Sequence, residues 1–259
     1  MSSPVAQGDR ARGHPGRVHP EPVTPTTPRP VRRTVFTQGW RDATFLHWAT
    51  DPAAVAPLLP AGTVPDTLDG ATYVGLIPFR MQRIGFLGAP GLPWLGSFAE
   101  TNVRLYSVDE RGRRGVVFAS LDADRLLPVL AARWVARLPY LWARMRIRRD
   151  GDRIAYTSLR RWPGPREAHS RVVVRVGAPI PEPGPLERFL TGRWGLHEPF
   201  GRRTAYWPNE HPEWPLHRAE LVELEESLVA AAGLSVAGAP DSVLFSPGVD
   251  VRFGPLSSR

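Results

Sequence analysis

The chain has 259 residues, of which 42% are hydrophobic, so it is long enough to bury one large core. It contains no cysteine, which excludes disulfides and thiolate metal sites and favours a cytoplasmic location. The formal net charge is +8, and all 33 basic residues are arginine because no lysine occurs in the sequence.

Residues 1–33 form a segment rich in proline and arginine that contains no Phe, Tyr or Trp. Such a segment cannot bury enough apolar surface to offset the entropy lost on ordering. We therefore expect residues 1–33 to be a disordered basic tail, followed by a single domain over residues 34–259. Binding of this tail to an anionic partner is the functional alternative.

The first elements of the domain follow an apolar run around His47. Asp51 can cap a short helix that starts at Pro52. The apolar residues after the Asp69-Gly70 turn predict a strand over 71–77, which we expect Pro78 to end. Residues 85–96 combine Gly and Pro with apolar side chains, and predict either a lid over a pocket or a loop packed on the core.

Strands are predicted over 98–108 and 116–121, joined by a polar hairpin link. A helix is predicted over about 125–137, where apolar residues recur at near-helical spacing. The second half of the chain predicts strands over 144–148, 154–160, 171–176, 243–245 and 249–253, and helices near 186–191 and over 216–232. Many short strands without regular strand–helix alternation favour an α+β fold whose antiparallel sheet can curl into a barrel.

The most informative strand is the one over 98–106. Side chains alternate along a strand, so Glu100, Asn102 and Arg104 share one face. If that face lines a cavity, Arg104 would pair with a ligand carboxylate, and Glu100 could transfer a proton once burial raises its pKa. The alternative is that the face is solvated and that Glu100 and Arg104 form an ordinary surface pair.

No metal site is predicted, because His211 and His217 are six residues apart and no HExxH motif occurs. His47 lies in an apolar strand-like run, as a core or pocket-edge histidine would. Neither a GxSxG nucleophile elbow nor a GxGxxG or phosphate loop is present. No cofactor is therefore expected.

The partners implied by the sequence are small molecules. Arginines at alternate positions of the strand over 144–148 share one face, and a solvated face explains them better than nucleic-acid binding does. No apolar run approaches the roughly 18 residues of a membrane helix. We therefore expect a small-molecule ligand and neither a membrane nor a nucleic acid as partner, and we leave homo-oligomerisation open.

Several motifs occur in an order that resembles the YqjF-like family, and they cover about residues 37–253. They are Phe45-Leu-His-Trp48, Leu58-Leu-Pro60, Phe98-x-Glu-x-Asn-Val-Arg104, Ser120-Leu-Asp-Ala123 and Phe245-Ser-Pro-Gly-Val-Asp-Val251. That family is similar to acetoacetate decarboxylase. The resemblance implies a strongly bent antiparallel sheet that forms a cone-like barrel with an internal cavity and flanking helices.

The same resemblance implies that Glu100 lines the cavity, and that Tyr140 stands where the decarboxylase has the lysine that forms a Schiff base with its ketone. Arginine cannot replace that lysine, because the guanidinium stays protonated and is a poor nucleophile. We assign catalysis to Glu100 and Tyr140. We assign ligand binding to Arg104, Asn102, His47 and Asp122.

Two functions are compatible with these assignments. One is an enzyme of lyase, isomerase or hydrolase type that transfers a proton beside the carbonyl of a small carbonyl or carboxylate compound. The other is a non-catalytic ligand-binding or accessory protein. Decarboxylation through a lysine Schiff base is excluded in both.

Overall fold

The computed structural model describes residues 19–86, 96–125, 138–201 and 203–257. These residues form twelve strands: β1 (Phe36–Thr50), β2 (Thr63–Pro65), β3 (Thr72–Phe86), β4 (Phe98–Asp109), β5 (Arg114–Ala123), β6 (Tyr140–Asp150), β7 (Arg153–Trp162), β8 (His169–Pro179), β9 (Gly195–Phe200), β10 (Arg203–Glu210), β11 (His217–Glu226) and β12 (Ser242–Phe253). Their helices are α1 (Pro52–Val55), α2 (Pro185–Thr191) and α3 (Leu228–Ala231), with a 3-10 turn over Ala56–Leu58. None of these helices is long and apolar enough to cross a membrane.

Nine of the described strands close into a barrel in the order β1-β3-β4-β5-β6-β7-β8-β11-β12, and β12 pairs back with β1. Pairing between β4 and β5 completes the ring. Neighbouring strands are antiparallel except β5 and β6, where Leu121 pairs with Tyr140 in parallel. The predicted α+β barrel with flanking helices is confirmed, with a mixed sheet in place of a purely antiparallel one.

Strands β9 and β10 add a second connection from β5 to β12. Val116 of β5 pairs with Leu196 of β9, and Asn209 of β10 pairs with Phe253 of β12. Strands β12, β1, β3, β4 and β5 therefore form a wall shared by two compartments. Every residue of β4 is buried, as expected for a strand covered on both faces.

The two faces of this wall belong to two different apolar cores. Val103, from one face of β4, packs in a core that includes Val172 of β8. Phe98 and Tyr106, from the other face, pack in a core that includes Leu196 of β9. Because side chains alternate along a strand, the even-numbered residues of β4 face the β9 side.

The helix predicted over 216–232 is wrong for most of its length, because His217–Glu226 forms β11 and only α3 is helical. Strand β11 pairs with β8, and its register shifts where Val222 has no partner. This bulge places Leu221 and Leu224 three positions apart on the half-buried face, a spacing that is typical of a helix.

Pro78 does not end its strand. Strand β3 continues to Phe86, and Pro78 lies beside the register shift of β1 between Arg41 and Leu46. Proline has no N–H to donate and is tolerated at such bulges. The two predicted closing strands are likewise one strand, β12. It passes through Gly248 (φ 124°), where a Cβ would lie 2.0 Å from a backbone oxygen of β1.

Part of the predicted disordered tail contacts the barrel. Residues 19–33 contain neither helix nor strand, but the Glu21 N–H donates to the carbonyl of Gly112 at 2.9 Å. The Glu21 carboxylate accepts from the Arg114 N–H at 2.9 Å, and Val31 is buried. Residues 19–33 thus contact the barrel through Glu21 and Val31, and composition alone did not show that Glu21 has partners there.

Two other sequence predictions lie largely outside the described residues. These are the helix over 125–137 and the loop over 85–96. Residues 1–18 of the predicted tail lie outside them as well.

Candidate active site

A cavity of about 660 Å³ lies on the β9–β10 side of the shared wall. Pockets of roughly 300–1,000 Å³ hold drug-sized ligands. Most of the described residues that line this cavity are aliphatic or aromatic. The polar ones are Gln38, Glu100, Asn102, Arg104, Tyr140, Thr191, Arg193, Asn209 and His211.

Strand β4 supplies the polar row predicted from the sequence. Glu100, Asn102 and Arg104 all line the cavity because they occupy alternate positions on one strand face. All three are buried, so the alternative of a solvated face is wrong. Glu100 pairs with Phe79 of β3 and Arg104 pairs with Gly75, so the row runs along the cavity wall.

Tyr140 reaches the same cavity from the start of β6. Strand β5 pairs with β4 through Ala123 and Glu100, and it pairs with β6 through Leu121 and Tyr140. These two pairings bring the start of β6 next to Glu100. The Tyr140 hydroxyl donates a hydrogen bond to Glu100 Oε2 at 2.9 Å.

Glu100 is only 3% exposed, and this burial raises the pKa of its carboxyl group to about 8. The hydrogen bonds from Tyr140 and Asn102 lower this pKa, whereas the charge of Asp122 raises it further. None of the ion pairs in the described part of the chain includes Glu100. Burial also raises the pKa of Tyr140 well above its usual value, so its hydroxyl remains a donor.

Two guanidinium groups lie at the other end of the row. Arg104 donates to the Tyr106 hydroxyl at 3.1 Å and to the Leu190 carbonyl at 2.7 Å. Arg193 forms an ion pair with Asp66. Both arginines line the cavity and are almost fully buried.

Positive charge exceeds negative charge at this end of the cavity. Asp66 is shared between Arg193 and Arg114, and no ion pair among the described residues includes Arg104. Burial, together with the charges of Arg104 and Arg193, lowers the pKa of His47 well below its usual value. His47 is therefore neutral and does not add to the positive charge, but the remaining surplus favours an anion.

Three buried polar atoms on cavity-lining residues have no hydrogen-bond partner within the described structure. They are Nη2 of Arg193, Oδ1 of Asn102 and Oδ1 of Asn209. Buried polar atoms are normally paired, because an unmade hydrogen bond costs about 1–3 kcal/mol. One donor and two acceptors on cavity-lining residues are thus left unpaired in the described part of the chain.

Two residues assigned to ligand binding do not line the cavity. His47 lies behind it, with Nε2 at 2.6 Å from the Tyr106 hydroxyl. Asp122 accepts two hydrogen bonds from Arg160, at 2.9 and 3.0 Å, on the opposite face of the wall. The structure therefore brings Glu100, Asn102, Arg104 and Tyr140 together, and leaves His47 and Asp122 outside.

Sequence reasoning missed the residues contributed by β9, β10 and the link before β9, because those strands were not predicted. Arg193 and Asn209 line the cavity. Glu198 lies two positions after Leu196 and is buried, and this burial raises the pKa of its carboxyl group to about 8. Its charge in turn raises the pKa of Tyr140. Strand β9 offered no alternating signal, because its first four residues are all buried. Within the described residues, no group of three or more His, Asp or Glu side chains could hold a metal ion.

The closed barrel of nine strands has an acetoacetate-decarboxylase-like fold. The chain is similar to acetoacetate decarboxylase from Legionella pneumophila, with a TM-score of 0.61 and 15% identity over 90% of this chain and 92% of that one. It is also similar to the enduracididine biosynthesis enzyme MppR complexed with the condensation product of pyruvate and imidazole 4-carboxaldehyde. That match has a TM-score of 0.56 and 16% identity over 88% of this chain and 90% of that one. At these identities the likeness shows the fold alone.

Residues 37–250 match DUF2071, a family described as an uncharacterized conserved protein, and the chain belongs to that family. It is 31% identical to the uncharacterized protein YqjF of Bacillus subtilis (strain 168) over 224 residues, which cover 86% of this chain and 91% of that protein. The resemblance derived from the sequence motifs is confirmed.

Proposed function

We propose that this protein is an enzyme that transfers a proton at a carbon next to the carbonyl of a small anionic compound, with Glu100 as the acid–base group. One observation carries the proposal. The Glu100 carboxyl group faces a largely apolar cavity, is hydrogen-bonded by Tyr140 at 2.9 Å, and has no ion-pair partner among the described residues.

A general base works best when its pKa lies near the working pH. With a pKa of about 8, Glu100 is mostly protonated at pH 7, and roughly a tenth of it is carboxylate. It can therefore both remove and return a proton near neutrality. An exposed glutamate, which titrates near its ordinary value of 4.5, would be a much weaker base.

In the proposed step, the Glu100 carboxylate removes a proton from the carbon beside the carbonyl. The electron pair of that C–H bond forms a C=C bond, and the carbonyl electrons move to the oxygen. As Glu100 takes up this proton, the Tyr140 hydroxyl turns its single hydrogen from Glu100 to the developing oxyanion, and Arg104 holds the substrate's carboxylate. Return of the proton from Glu100 to the same or a conjugated carbon completes the turnover, with Glu100 regenerated as a carboxylate.

The step requires no amine. The chain has no lysine, and its 33 basic residues are all arginine, which cannot condense with a ketone. The proposal therefore differs from the Schiff-base chemistry that the family resemblance would otherwise imply. Charge and hydrogen bonding at Glu100, Tyr140 and Arg104 supply the rate enhancement.

Exchange of substrate hydrogen for deuterium tests the proposal. A panel of keto acids with increasing separation between the ketone and the carboxylate, starting from 2-keto acids, is incubated with the protein in D₂O, and proton NMR follows loss of the signal from the carbon beside the ketone. We expect exchange with at least one acid, reduced at least 100-fold in Glu100→Gln. The matched control is Glu110→Gln, which changes an exposed glutamate and should exchange like the wild type. Binding of a keto acid without any exchange would leave a non-catalytic ligand-binding protein as the function.

A further inference from the structure

We propose that the ligand of this cavity is a carboxylate with a long apolar body, such as a medium-chain acyl or aryl acid. Its carboxylate would lie between Arg104 and Arg193, and its apolar body would extend towards Phe36 and Phe86. The placement of a carbonyl beside Glu100 is the only part of this inference that rests on the proposed function. The orientation of the ligand rests on the shape and polarity of the cavity.

Strand β3 gives the order of features along the cavity. Gly75 pairs with Arg104, Phe79 pairs with Glu100, and Phe86 pairs with Phe36. At about 3.3 Å per residue, roughly 13 Å of strand separates Gly75 from Phe79, and roughly 23 Å separates Phe79 from Phe86. Curvature of the barrel shortens both distances. Even so, a short keto acid held at Arg104 would leave the Phe86 end of the cavity unfilled.

The end of the cavity near Phe86 is built from aromatic rings. Phe36 stacks on Phe253 with ring centroids 4.3 Å apart, and the edge of Trp207 approaches Phe36 at 5.2 Å. Phe86 lines the cavity although it is 55% exposed. Aromatic side chains offer large apolar contact areas at low entropic cost. This end is suited to a hydrocarbon chain or ring and offers few groups for a polar one.

The opposite end is suited to a carboxylate head group. Nη2 of Arg193 is buried without a partner in the described structure, and Arg104 has no ion-pair partner there. A carboxylate accepts parallel hydrogen bonds from guanidinium groups and would neutralise part of the positive surplus around Asp66. The head group therefore belongs at the Arg104 end, and the apolar body must point towards Phe86.

The ligand class predicts a steep dependence of affinity on chain length. Each buried methylene contributes enough transfer free energy to tighten binding roughly fourfold. Butanoate can fill only the Arg104 end of the cavity, whereas the apolar body of dodecanoate extends as far as Glu100, in the direction of the aromatic end. An uncharged alcohol of the same length retains the apolar contacts and loses the interaction with the two arginines.

Calorimetric titration of the full-length protein with butanoate, dodecanoate and dodecanol, below their micellar concentrations, tests the inference. We expect dodecanoate to bind at least tenfold more tightly than either of the other two. If dodecanoate binds no more tightly than butanoate, the claim that the ligand has a long apolar body is overturned. If dodecanol binds as tightly as dodecanoate, the claim that the ligand has an anionic head group is overturned. Absence of dodecanoate binding at millimolar concentration would overturn both.

Arginine variants locate the head group. Arg104→Gln should weaken dodecanoate binding about tenfold and leave dodecanol binding unchanged, whereas Arg146→Gln, at an exposed position of β6, should change neither. If Arg104→Gln does not fold, as judged by circular dichroism, the titrations of the wild type still decide. Glu100→Gln should keep dodecanoate binding. Tight binding of dodecanoate by the wild type, together with no deuterium exchange of any keto acid in the panel, would refute the proposed function and leave this inference standing.

Discussion

The Tyr140 hydroxyl donates a 2.9 Å hydrogen bond to Oε2 of Glu100 and thereby links the start of β6 to β4 across β5. A hydrogen bond to a carboxylate favours its charged form, whereas burial disfavours it. The pKa of Glu100, raised to about 8, is the balance of these opposing effects. The chemistry proposed for the cavity depends on that balance.

Removal of the Tyr140 hydroxyl should shift the pH dependence of deuterium exchange. In Tyr140→Phe, Glu100 loses the hydrogen bond that lowers its pKa, so that pKa rises further above 8. A hydrogen bond of about 1–1.5 kcal/mol corresponds to roughly one pH unit. We expect the pH range over which the exchange rate increases to move upwards by about that amount. An unchanged pH range would show that Tyr140 does not act on Glu100.

Glu100 should make the protein less stable as the pH rises. Its pKa is about 8 in the folded protein and near 4.5 in an unfolded chain, so the folded state binds the proton more tightly. The resulting stabilisation is fully present below about pH 4.5 and is lost as the pH rises through about 8. Glu100→Gln cannot lose a proton, so it should avoid this loss.

Urea unfolding at pH 5 and pH 8 measures the effect. Relative to the wild type, Glu100→Gln should gain about 2–4 kcal/mol of unfolding free energy between the two pH values. The exposed Glu110→Gln serves as the control and should show no such change. Parallel pH dependence of the wild type and Glu100→Gln would contradict the raised pKa.

The sequence predicted the parts of the fold that follow from strict alternation and turn chemistry. The strands that became β4, β5, β6 and β7 were located, and so was the polar row from Glu100 to Arg104. Strand β11 was read as a helix because its leucine and glutamate residues favour helices, whereas pairing with β8 and the bulge at Val222 decide the outcome.

The candidate site was only half predictable for a similar reason. Glu100, Asn102 and Arg104 share one strand, so local periodicity placed them on the same face. Arg193 and Asn209 reach the cavity through the β5–β9 and β10–β12 pairings, which join residues far apart in the sequence. No local pattern encodes these pairings.

Asp122 should prove to be a structural residue. It is fully buried and makes two hydrogen bonds to Arg160, which is also buried. Asp122→Ala leaves an unpaired buried guanidinium and should cost about 3–5 kcal/mol of unfolding free energy. The exposed pair of Arg171 and Glu223 provides the control, since Glu223→Ala should cost less than about 1 kcal/mol. Equal losses in urea unfolding would contradict the structural role of Asp122.

Glu21 should contribute to stability although it precedes the barrel. Its carboxylate accepts hydrogen bonds from Arg29 and from the Arg114 N–H, and its own N–H donates to Gly112. Glu21→Ala removes the side-chain contacts and should lower the unfolding free energy by about 1–2 kcal/mol. Thermal unfolding of this variant beside Glu110→Ala checks the prediction, and identical midpoints would show that the Glu21 side chain does not stabilise the barrel.

A pH titration of the Glu100 carboxyl carbon by NMR tests the central claim most directly. The protein is labelled with ¹³C at glutamate side-chain carboxyl groups, and the Glu100 signal is assigned by its absence from Glu100→Gln. We predict a titration midpoint near pH 8. A midpoint near 4.5, the ordinary value for glutamate, would show that Glu100 is an ionised carboxylate at neutral pH and would contradict its proposed role as the acid–base group of the cavity.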